Sequence, residues 1–118
     1  MAIALILLSP IISHGMDGNG FMKVCNPARP DSDYEYGCQG YVQATIDLIY
    51  SAKEAIKKLP QDVQDSVPKS ARSCVPQIET NQAKLIAIKW YQNHPERLHL
   101  LAIDEIRNSI YAAFPCSE

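Results

Sequence analysis

Between residues 38 and 58 the chain reads CQGYVQATIDLIYSAKEAIKK, and this run constrains the fold more than any other stretch. Val42, Ile46, Ile49, Ala52, Ile56 and Leu59 recur at steps of three and four, the period of one helix face. Tyr41, Leu48 and Ala55 widen the stripe, so that neighbours can cover it from two sides. Gln43, Asp47, Ser51, Glu54 and Lys58 fall opposite and are predicted to stay in water. Lys53, Lys57 and Lys58 crowd the last turns, where cations suit the helix dipole. A helix this amphipathic is stable only against partners, and the rest of the chain must supply them.

The remaining composition limits the alternatives. A length of 118 residues with 47% hydrophobic content suffices for one domain with a core and not for two. The formal charge of −2 and the pI near 5.9 argue against nucleic acid, because no basic stripe is present to neutralise phosphates. Residues 1–15, MAIALILLSPIISHG, hold an apolar run that is far too short for a bilayer span. The run resembles the hydrophobic region of a secretory signal peptide, with Ser13-His14-Gly15 as a small-x-small cleavage site, although nothing basic precedes it. The alternative is a buried N-terminal strand or helix. On the signal reading, residues 16–118 form a single exported helical domain with no membrane segment, and four cysteines are naturally used in two disulfides.

In chain order, Asn19-Gly20 opens a short helix through Phe21, Met22, Val24 and Cys25. Pro27 and Pro30 then make a loop. Ser32 and Glu35 have capping-box spacing, so the long helix is predicted to begin near Asp33. Gly37 and Gly40 lie inside it, each at about 1 kcal/mol relative to Ala, and suggest close packing of another backbone or of a disulfide loop. Leu59-Pro60 ends the helix. Residues 60–73 are polar and long for a connection, with room for one helical turn at 62–66. Thr80 is the expected N-cap of a helix over 81–93, which is apolar around most of its circumference and is expected to be the most buried. His94-Pro95 breaks it. A last helix over 100–114 carries Ile103, Ile106, Ile110 and Ala113 on one face, until Pro115 stops it. With no strand alternation and no repeat, the fold class is all-α: a small disulfide-stapled bundle of about four helices.

Four cysteines allow three pairings. If the long helix runs up, the following helix down and the last helix up, Cys25 meets Cys38 at one end and Cys74 meets Cys116 at the other. The long connection over 60–73 leaves the other pairings open, since it is able to return Cys74 to the opposite end. A zinc site is disfavoured because no C-x-x-C spacing occurs. No metal or other cofactor is expected.

No catalytic constellation emerges. An even cysteine count argues against a free nucleophilic thiol. His14 falls in the signal segment, His94 is placed to cap or fill a helix–helix turn, and His99 does not share a face with it. Asp104 and Glu105 are adjacent and therefore splayed, and they read as a solvated helix start. Trp90 and Tyr91 read as core and edge aromatics. An enzyme is not expected.

Five segments occur together in a particular order: Gly20-Phe21-Met22-Lys23-Val24-Cys25; Cys38-Gln39-Gly40-Tyr41-Val42; Cys74-Val75-Pro76 with Thr80 beyond; His94-Pro95-Glu96-Arg97; and Ala113-Phe114-Pro115-Cys116. This set resembles the Rap/Tai family of type VI secretion immunity proteins over residues 20–116. The resemblance implies a small periplasmic helical protein, often a homodimer, that binds and blocks a peptidoglycan-cleaving amidase effector. Residues 60–73 depart from the pattern, being longer and more polar than the family core. An inhibitor of this kind needs no chemistry, only a rigid frame presenting a protrusion to a cleft. The expected partner-binding protrusion comprises Gln61, Asp62, Gln64, Asp65 and Ser66, with Lys69 and Arg72 at its edge. The same segment also reads as an ordinary solvated loop. A different class of function, a periplasmic chaperone-like or structural helical binding module without an effector, is the alternative.

Overall fold

The computed structural model describes residues 15–25, 32–68 and 73–116. Among the described residues five α-helices follow one another: α1 (Gly18–Cys25), α2 (Ser32–Lys57), α3 (Gln61–Ser66), α4 (Thr80–Asn93) and α5 (Ala102–Ala113), with a 3-10 turn at Pro95–Arg97 before α5. Among the described residues the only extended pairing is an isolated antiparallel bridge between Asp17 and Leu101. The all-α class is as expected. The expected turn at 62–66 is the short helix α3, which brings the count to five.

The core forms where α1, α2, α4 and α5 meet. Cys38, Val42, Ile46 and Ile49 of α2 face Phe21 and Cys25 of α1, Ala83, Ala87, Ile88 and Tyr91 of α4, and Ala102, Ile106 and Ile110 of α5. The polar side of α2 is as the spacing dictates, with Gln43, Asp47, Ser51, Glu54 and Lys58 all exposed. The apolar stripe is buried only as far as Ile49: Ala52 and Ala55 are exposed, Ile56 is half-buried and Leu59 is exposed. The bundle is shorter than the stripe.

Both disulfides take the pairing that the up-down-up ordering favours, Cys25–Cys38 and Cys74–Cys116, with Cα separations of 5.1 Å. The first lies in the core and the second has Cys74 exposed. The start of the domain is stitched to the approach to α5. Ala102 N–H donates to the Met16 carbonyl (2.9 Å), Gly18 N–H to Leu100 O (3.1 Å) and Asn19 N–H to Leu98 O (3.0 Å). Gly18 is required there: a Cβ would run into the Tyr91 ring and lie 2.9 Å from the Leu98 carbonyl. Asp17 caps α1 by accepting from Gly20 N–H at 2.8 Å.

Several expectations are corrected. Glu79, not Thr80, is the N-cap of α4; Thr80 is already helical, and its hydroxyl donates to Gln43 Oε1 of α2. The most buried helix is α5, because the far side of α4 faces water and leaves Leu85 56% exposed. Gly37 and Gly40 do not admit a close backbone: a Cβ at Gly37 would make an ordinary 3.8 Å contact with Val24, and one at Gly40 would meet nothing. The signal-peptide segment before Gly15 lies outside the described residues, as does the Ser32 side chain of the capping pair.

Glu105 is the largest correction. It is not part of a solvated helix start: its side chain is 2% exposed, on the same face of α5 as Ala102, Ile106 and Ser109. Arg97 grips it with two bonds, Nε to Oε2 at 2.7 Å and Nη2 to Oε1 at 2.6 Å, while Trp90 Nε1 donates to Oε2 at 3.0 Å. Hydrogen bonding to Arg97 outweighs burial and holds the carboxyl below its ordinary pKa. Asp104 points to solvent and pairs with Arg107. His94 fills the helix–helix turn as expected, its Nδ1 2.8 Å from the Trp90 carbonyl and its ring stacked on the indole at 4.0 Å.

Candidate functional site

Beyond Lys53, the last turn of α2 and the short α3 form an arm with little burial. The last turns of α2 continue to Lys57, a tight turn follows (Lys58 N–H to Ala55 O, Leu59 N–H to Ile56 O), and α3 folds back from Pro60 without burying any residue. Pro60 suits this place: as N-cap of α3 it lacks an N–H that would otherwise need a partner, and its fixed φ of −54° leads into the helix. Leu59 and Val63 leave about two-fifths of their surface in water.

The expected partner-binding residues are brought together here. Gln61, Asp62, Asp65 and Ser66 are exposed on six consecutive residues of helix. Gln61 Nε2 donates to Asp65 Oδ1 (2.9 Å) across one turn, and the Ser66 hydroxyl donates to Val63 O (2.6 Å). Gln64 has a different role from the one expected. It is half-buried and faces α2, with Nε2 donating to Lys57 O (3.1 Å) and Leu59 O (2.7 Å), so it pins α3 to the end of α2. Lys69 and Arg72 lie outside the described residues.

Sequence reasoning missed the inner side of the arm. Lys53, Ile56, Lys57, Gln64 and Ser73 line an open groove between α2 and α3. Lys53 Nζ donates to Val75 O (3.3 Å), and Lys57 Nζ pairs with Glu54 at 3.2 Å on the exposed surface. The i, i+3, i+4 spacing of Lys53, Ile56 and Lys57 was visible, but those lysines also satisfy the helix dipole, which needs no groove.

The segment beyond the arm is fastened back to the bundle. The Tyr50 hydroxyl donates to Pro76 O and accepts from Ile78 N–H, both at 2.8 Å, and Val75 is buried. The Cys74–Cys116 disulfide ties the same segment to the end of α5. The arm therefore springs from a frame closed on both sides.

All four cysteines are in disulfides, so none offers a thiolate. Among the described residues no group of three or more His, Cys, Asp or Glu side chains is placed to hold a metal ion, and no helix is long and apolar enough to cross a membrane. Two closed disulfides are what an oxidising, exported environment maintains.

Fold and site together define a disulfide-stapled helical binding protein. The family model for Rap1a immunity proteins matches residues 17–116, and the chain belongs to that family. Membership gives the coarse function: an immunity protein directed against a secreted effector. No curated protein and no solved structure matches the chain.

Proposed function

We propose that this protein acts in the periplasm, binding a secreted peptidoglycan amidase and occluding its active site without modifying it. The observation that carries this reading is the arm: α3 buries nothing in its own chain, yet it is pinned by Gln64 to a frame closed by two disulfides. A protrusion that is already ordered loses little conformational freedom on entering a cleft, which favours tight binding. In this reading residues 1–15 are the export signal, and the domain begins at Met16, whose carbonyl accepts from Ala102. The contact set is Gln61, Asp62, Asp65 and Ser66 on the arm, with Lys69 and Arg72 following in sequence. Gln64 supports it from behind. The homodimer implied by the resemblance would draw on the uncovered side of α2, where Leu48, Ala52 and Ala55 are exposed.

The test is peptidoglycan hydrolysis by the amidase encoded beside this gene, assayed with and without the purified protein. Stoichiometric loss of activity, reversed when the complex is separated, is the expected outcome. Full activity together with no detectable binding overturns the reading.

A further inference from the structure

The inner side of the arm differs in character from its outer edge. Ile56 and the aliphatic stems of Lys53 and Lys57 give the groove an apolar lining, while the two ammonium groups carry positive charge beside it, that of Lys53 donating one of its three hydrogens to Val75 O. Glu54 is the carboxylate paired with Lys57, on an exposed surface where such pairs are weak and readily exchanged. Asp62 precedes Gln64 by two positions, a rotation of roughly 200° around the helix, so its carboxylate lies on the side of α3 away from the groove, with Asp65 at roughly 100° between the two. The whole chain carries a formal charge of −2, which makes this paired-lysine groove a local inversion of sign. It is also preformed, because Gln64 fixes its wall through two backbone carbonyls.

We propose that the groove between the end of α2 and α3 receives a segment of the effector carrying a carboxylate beside an apolar side chain, the carboxylate meeting Lys53 and Lys57 and the apolar group covering Ile56. This rests on the reading of the arm as the effector-binding surface and specifies what the partner brings to it. A basic groove backed by an acidic edge would fix the register of the complex, since a partner shifted to the opposite side would meet like charge. Association should also be steered by charge and weaken as salt rises.

The experiment is calorimetry of the full chain with the purified amidase encoded beside its gene, at low and high salt. Lys57→Glu is expected to weaken binding roughly 30-fold or more, about 2 kcal/mol at 1.4 kcal/mol per decade. Its melting midpoint should be nearly unchanged and its salt dependence flatter. Ile56→Ser, tested separately, should weaken binding while leaving the salt dependence intact. The combined change of Asp62 and Asp65 to Ala, which leaves the groove wall at Gln64 intact, serves as the control for the arm. If that double variant binds poorly while Lys57→Glu and Ile56→Ser bind like the unmodified protein, the outer edge of the arm is the contact and the groove proposal is wrong. If all variants bind like the unmodified protein, the arm reading fails and the groove proposal with it.

Discussion

Along α2, Val42, Ile46 and Ile49 are buried, whereas Ala52 is exposed and Ile56 half-buried, although all five stand on one apolar stripe. The first group lies under α4 and α5. The second stands toward the end of α2, where Ile56 lines a groove with Gln64 of the short α3, which buries nothing. The two disulfides divide in the same way, with Cys25–Cys38 inside the core and Cys74–Cys116 at the surface. One continuous helix is thus scaffold over its greater part and arm over its last turns. A periodic apolar face shows that a helix is able to be covered; the length of its neighbours decides how much of it is.

The largest expected effect follows directly. Ile49→Ala should cost roughly 2–5 kcal/mol of unfolding free energy, through lost burial and the cavity left behind. Ile56→Ala, on the same stripe, should cost about 1 kcal/mol or less, because its surface already meets water. Denaturant melts of the two variants measure the difference, and equal losses would mean that the core extends into the arm.

The disulfides sharpen the contrast next. Replacing Cys74 and Cys116 by Ser should cost about 2–4 kcal/mol. Under mild dithiol treatment of the native protein, Cys74–Cys116 should open before the buried Cys25–Cys38. Thiol labelling with peptide mapping reads the order, and simultaneous opening would show that the two ends are equally accessible.

A smaller effect comes from the buried carboxylate. Glu105 has a folded pKa depressed mainly by its hydrogen bonds to Arg97, so its contribution to stability is complete above the ordinary carboxylate range. That contribution is lost as pH falls from the ordinary value through the depressed one. Glu105→Gln should therefore flatten the acid limb of the stability profile. An unchanged acid limb would place the dominant titration elsewhere. Tyr91 works in the opposite sense: burial raises its phenol, its hydroxyl has no hydrogen-bond partner among the described residues, and the fold should lose stability as pH rises past the ordinary tyrosine range.

The smallest effect on stability belongs to the arm. Changing Asp62 and Asp65 together to Ala, both exposed on α3, should shift unfolding by under about 0.5 kcal/mol, since exposed substitutions usually do little. A much larger shift would make α3 part of the scaffold and erase the distinction between the two parts of α2.

The helices themselves were legible because their signals are local. The stripe from Val42 onward, the breaks at Pro60 and His94-Pro95, and the stop at Pro115 all act over a few residues, and the resulting order of helices favoured the cysteine pairing. The polar run after Pro60 likewise left room for the short exposed helix α3. Glu105 shows where local signals end. Its position between Ala102, Ile106 and Ser109 placed it on an inward face, yet a carboxylate is tolerated there only because Arg97 and Trp90 arrive from other elements to satisfy it. Gln64 is similar: the sequence offers an exposed amide, and only the fold-back of α3 turns it toward two carbonyls at the end of α2. Where α2 passes from core to arm was also decided in three dimensions, because burial depends on which neighbours come to lie alongside, and those neighbours are far away in the chain.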